Sequence, residues 1–131
     1  MTGIDTNVLV RYFVADDPRQ FAKARHLLEE QLSPENRGFI SSVVLAETVW
    51  VLSRTYDVER KEIVEIVEGL LGARNLMLEH KNSVYFALVQ YREGSLDFGD
   101  ALLCEIATGA GCRTTVTFDK RASRHSGFTL L

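Results

Sequence analysis

MTGIDTNVLVRYF, residues 1–13, holds a short apolar run, an acid and a second apolar run within one turn of chain. "TGID" reads as a short buried strand, and "NVLVRYF" carries Val8, Leu9, Val10, Tyr12 and Phe13 into a helical turn. Asp5 is the odd residue, since it sits with Thr6 and Asn7 at the junction of two segments that supply core. On this stretch alone a turn or helix cap accounts for it, because Asp and Asn bond nearby backbone N–H groups. A strand passing directly into a helix is the first half of a βα unit, and the rest of the chain repeats the pattern.

"DDPRQFAKARHLLEEQL" reads as a helix capped by Asp17 with Pro18 at its first position, burying Phe21, Ala24, Leu27, Leu28 and Leu32. "RGFIS" is a strand, and "SVVLAETVWVLSRTY" a nearly all-apolar helix expected to sit centrally. "DVERKEIVEIVEGLLG" starts at an Asp57 cap with Ile63, Ile66, Val67, Leu70 and Leu71 inward. "NLMLE" is a strand and "SVYFALVQYRE" a helix. "LDFGDALLCEIATGAG" is a helix ended by Gly109 or Gly111. "TTVTF" is a strand, "DKRASR" a turn or short helix, and "FTLL" a last strand. Strands alternating with helices predict an α/β fold with a short, mostly parallel sheet.

The 131 residues suit one domain, 1–131, with a full core. The 46% hydrophobic and 25% charged content is that of a soluble globular chain. A formal charge of -3 gives no general attraction to polyanions, so such a partner needs a local basic patch or a bound cation. Cys104 and Cys112 are in no zinc-like spacing and read as reduced thiols. No leader pattern and no long apolar span is present, which predicts a cytoplasmic protein without membrane contact.

Four acids stand out. In a parallel sheet, ligand sites lie at the carboxyl ends of strands, where Asp5 and, after "TTVTF", Asp119 are expected. Glu47 lies among Val43, Val44, Leu45, Ala46, Val49, Trp50, Val51 and Leu52, and is expected to be buried. That is costly without a partner or cation. Asp97 and Asp100 stand at i and i+3 at a helix start, Asp97 as an N-cap and Asp100 beside the core. His26, His80 and His125 are scattered, and neither a nucleophile triad nor a glycine-rich phosphate loop appears. What remains is a hard-oxygen site suited to Mg²⁺ or Mn²⁺.

"GIDTNVLVRYF", "SSVVLAETVWVL", "LDFGDALLCEIA" and "TVTFDK", in this order across essentially the whole chain, resemble the PIN domain, and within it the VapC-type toxins of bacterial toxin–antitoxin pairs. The resemblance implies a three-layer fold with helices on both faces of the sheet and metal-dependent cleavage of RNA phosphodiesters. It implies a homodimer and a VapB-type antitoxin partner. The family's acids fall on Asp5, Glu47, Asp100 and Asp119 as catalytic metal ligands, with Asp97 the extra acid beside the third. Thr6, Asn7 and Thr117 fall on supporting positions, and Arg11, Lys120, Arg121 and Arg124 offer basic surface for RNA, or plain solvated charge. A catalytically silent PIN-like module that binds RNA or protein is one alternative. A haloacid-dehalogenase-type phosphatase is disfavoured because "DTN" puts Asn7 where a second acid is needed. A phospho-accepting receiver domain is disfavoured because "NLMLEH" offers no Asp.

Overall fold

The alternation read from the sequence is realised as an α/β fold in which the paired strands run parallel. The computed structural model describes residues 1–94 and 96–131. The chain divides into two units, Met1–Glu79 and His80–Leu131.

In the first unit β1 (Thr2–Gly3), β2 (Gly38–Ile40) and β3 (Leu76–Leu78) form a sheet in the order β1-β2-β3. Thr2 stands opposite Gly38, and Ile40 opposite Leu78. Gly38 in the central strand is required by packing: a Cβ there would stand 2.7 Å from Leu32 Cδ1 and 3.1 Å from both Ile4 Cγ1 and Leu76 Cδ2. Strand pairing continues one residue further, through Ile4 N to Phe39 O and Glu79 N to Ile40 O, both 2.9 Å. The carboxyl rim of this sheet therefore carries Asp5, Ser41 and Glu79 side by side.

Three helices of the unit start on a residue suited to start them. Asp5 caps α1 (Thr6–Val14); Asp17 caps α2 (Pro18–His26) by accepting from Gln20 N at 3.1 Å; and Ser41 caps α3 (Ser42–Arg54) by accepting from Val44 N at 3.2 Å. The expected continuation of α2 relaxes into a π-helical turn, Leu27–Gln31. Leu9, Ile40, Leu45, Leu52, Ile63 and Val67 are fully buried and make the core with α4 (Arg60–Gly72).

The second unit pairs α5 (Lys81–Glu93) with α6 (Phe98–Gly109) through Val84, Ala87, Leu88, Ala101 and Leu102, with the Tyr91 ring edge-on to Phe98 at 5.8 Å. β4 (Thr115–Thr117) and β5 (Phe128–Leu130) form a two-stranded parallel sheet around a 3₁₀ turn, Ala122–Arg124. Gly127, at φ 95°, is forced by both conformation and space, since a Cβ would meet Cys104 Sγ at 2.6 Å. Gly111, at φ 96°, follows the last turn of α6, where Cys112 N donates to Ala107 O at 2.9 Å.

Several local expectations are corrected. β1 is exposed at both residues and Ile4 alone is buried, because the strand is too short to be covered. Asp57 does not cap α4; it takes a left-handed conformation, φ 53°, while Val58 N closes onto Leu52 O, and Glu59 precedes the helix. The inner stripe of α4 is Ile63, Val64, Val67 and Leu70, with Ile66 and Leu71 only half-buried. Phe21 and Leu27 are likewise half-buried. α3 is central on one face only, with Leu45, Thr48, Val49 and Leu52 inward and Val43 and Trp50 in solvent.

Candidate functional site

The acids of the first unit gather at the start of α1. The strand ends at Ile4, the backbone of Asp5 stays extended, and its Oδ1 accepts from Thr6 N at 2.8 Å. The cap reading of Asp5 thus holds locally, and the side chain remains exposed at the sheet rim. Thr6 Oγ1 donates to Glu47 Oε1 at 2.8 Å, across 41 residues of sequence. Glu47 is thereby fixed beside Asp5, at the helix end where the backbone dipole favours negative charge. The expected burial of Glu47 is corrected. Its place on the outer face of α3 leaves it exposed, and the buried polar residue is Thr48, whose hydroxyl donates to Val44 O at 2.7 Å.

In the second unit two acids, Asp97 and Asp119, act on a third, Asp100. Asp97 occupies the N-cap position of α6, yet its carboxylate makes no capping bond; instead Oδ2 lies over Gly99, 3.3 Å from where a Cβ would be. Asp100, in the first turn, is half-buried. Burial pushes its carboxyl above the ordinary Asp range, and the charges of Asp97 and Asp119 push it the same way. Asp119 follows β4, where its N–H donates to Thr117 Oγ1 at 3.0 Å. Its Oδ1 accepts from Arg121 N at 2.8 Å and Ala122 N at 3.3 Å. Thr117 and the 3₁₀ turn thus lock Asp119 at its strand end.

Residues 4–127 match the PIN domain. The chain belongs to the PIN-domain family. Asp5, Glu47, Asp97, Asp100 and Asp119 all fall inside the matched span. Over 121 residues the chain is 27% identical to a protein of Aquifex aeolicus (strain VF5) described as "VapC ribonuclease", covering 92% of this chain and 89% of that protein.

The supporting residues of this PIN domain behave unequally. Thr6 and Thr117 each hold an acid or its backbone, as just described. Asn7 is exposed and lines a shallow pocket of about 410 Å³ with Val8, Arg11, Gln20 and Lys23. Arg11 is not free surface charge: its guanidinium bonds Gln20 at 2.7 Å, Asp16 at 2.9 Å and the Tyr56 hydroxyl at 3.4 Å. Tyr56 first and then Asp16 raise its pKa further. Lys120, Arg121 and Arg124 are exposed immediately after Asp119.

Two rim residues escaped the sequence reading. Glu79 Oε1 accepts from Ser42 N at 2.9 Å, so a third acid of the rim serves as a cap for α3. Ser42 Oγ is buried without a hydrogen-bond partner at the carboxyl end of the central strand. Such a group in a native interior marks a place where water or an ion completes the bonding. Only the serine pair "SS" before the helix hinted at either.

The side chains of Asp5, Glu47, Asp97, Asp100 and Asp119 offer hard carboxylate oxygens of the kind a divalent ion takes, and the charges of Asp97 and Asp119 both act on Asp100. Among the described residues no group of three or more His, Cys, Asp or Glu is arranged to hold a metal ion. A groove of about 590 Å³ between Tyr12, Phe13, Ile66 and Gly69 contains none of these five acids. Among the described residues, no helix is long and apolar enough to cross a membrane.

Proposed function

We propose that this PIN-domain chain is a single functional domain over residues 1–131, acting as a Mg²⁺- or Mn²⁺-dependent endoribonuclease. On this reading it is the toxin of a VapBC-type pair and works in the cytoplasm. The observation that carries the reading is Asp100. Its half-buried carboxyl stands at the start of α6 under the charges of Asp97 and Asp119, so a neighbouring cation stabilises its anion. The PIN-domain match and the VapC ribonuclease relative supply the substrate class.

Asp5, Glu47, Asp100 and Asp119 would hold the ion or ions, with Asp97 at their edge. A bound divalent ion supplies an activated water and neutralises charge growing on the phosphate. The chain's own part is to fix the ligands. Thr6 holds Glu47, the α1 cap holds Asp5, and Thr117 with the turn amides holds Asp119. Lys120, Arg121 and Arg124, beside Asp119, would take phosphates of the strand. An antitoxin of VapB type would block the same acids with a basic side chain standing in for the cation, and the toxin would act as a homodimer.

The test is cleavage of end-labelled RNA by the purified chain in Mg²⁺, Mn²⁺ or EDTA, with Asp100→Asn alongside. Internal cuts that need the cation and vanish in the variant are expected. Equal cleavage in EDTA, or by Asp100→Asn, overturns the proposal.

A further inference from the structure

The outer face of α3 carries a row that the acid site does not explain. Val43, Glu47, Trp50 and Arg54 follow one another at i, i+4, i+7 and i+11, and all four are exposed. Trp50 is 55% and Val43 69% exposed. Among the described residues no aromatic ring packs on the indole, and Arg54 has no ion-pair partner. A single exposed apolar side chain needs no explanation. Here, however, the chain's single tryptophan stands one helical turn from an acid that a hydroxyl on another helix holds in place.

The chemistry of the row matches a nucleotide strand better than a protein face. Interfaces between proteins are depleted of acids, and Glu47 stands one helical turn from the indole. A single strand offers a base with a π-face on one side and a phosphate on the other, and such strands are held by aromatic platforms combined with cations. The helix rise puts Trp50 about 4.5 Å along the axis from Glu47 and Arg54 about 6 Å further, about 10.5 Å in all.

We propose that this row is the track for single-stranded RNA, with a base stacked on the Trp50 indole and the adjoining phosphate on Arg54. The proposal rests on the ribonuclease reading for its substrate and adds the residues that grip it. Trp50 is a binding residue, touching the base next to the phosphate that the acids engage.

The single tryptophan makes the test direct. The Asp100→Asn variant, which keeps the whole row, is titrated with 12-nucleotide oligo(U), oligo(A) and an oligomer of abasic ribose phosphates, while indole emission is read. Saturable quenching by the first two, and none by the abasic strand, is expected. In the otherwise wild-type chain Trp50→Ala should raise KM about 5- to 100-fold with kcat within about 3-fold, and Trp50→Phe should restore most of the affinity. Arg54→Gln should lower the salt slope of binding by about one. Melting temperature and sedimentation of each variant accompany these measurements. An unchanged KM for Trp50→Ala in a chain that cleaves RNA overturns the track and leaves the nuclease standing. So does dissociation of an oligomer by that substitution without loss of RNA affinity. A wild-type chain that cleaves no RNA overturns the nuclease reading instead, and emission that ignores both oligomers overturns the track by itself.

Discussion

The acids before residue 80 and those after it are stabilised in opposite ways. Asp5 and Glu47 receive hydrogen bonds from Thr6, through its amide and its hydroxyl, at the favourable end of a helix. Asp97 and Asp119 both press their charge on Asp100, and Asp97 gives up the bond its cap position offers. Asp100 carries repulsion that protonation or a cation relieves.

The largest expected effect separates ligands from scaffolding. Glu47→Gln and Asp100→Asn should each lower Mn²⁺-dependent RNA cleavage about 100-fold or more, measured as kcat/KM on one labelled RNA. Loss from only one of them would break the idea that the halves serve one reaction. Next in size is Thr6→Val, which frees Glu47 without removing it. Activity should fall about 10- to 100-fold, the usual scale for a residue that orients a metal ligand. Higher Mn²⁺ should recover part of it. A variant as active as wild type would show that Glu47 needs no tether.

Smaller effects fall on stability. Asp119→Ala removes the acceptor for two turn amides and should cost about 1 kcal/mol in urea unfolding, whereas Asp119→Asn should cost only a few tenths. Equal costs would mean that the charge, and not the cap, holds that turn. The smallest concerns Asp100 in metal-free protein. Its folded pKa lies above the unfolded value, so the native state binds more protons within that window and stability falls as pH rises through it. Asp100→Asn should therefore melt about 1–3 °C higher at pH 7, with the gain fading as pH drops below the ordinary Asp value. No gain in Asp100→Asn would erase the contrast between the halves.

Some of this was readable in the chain alone. The α/β class, parallel pairing, the Asp17–Pro18 helix start and Asp100 beside the core follow from periodicity and capping chemistry, which act over a few residues. The same local rules misled at Glu47 and Asp57. An apolar helix shows how much it must bury, yet not which face turns inward, and α3 leaves Val43, Glu47 and Trp50 outside because its partners reach only Leu45, Thr48, Val49 and Leu52. Asp57 has the right residue type for a cap, yet the backbone spends it on a left-handed turn closed by Val58 N to Leu52 O.

By itself, the sequence determined which residues carry charge, where strands give way to helices, and the four motifs that mark a PIN domain. Only the tertiary structure decided what each acid leans on. Thr6 to Glu47 spans 41 residues, Glu79 to the Ser42 amide spans 37, and the pressure of Asp119 on Asp100 joins a strand end to a helix start. Such contacts depend on packing between elements distant in the chain, and no local pattern of hydrophobicity or propensity encodes them.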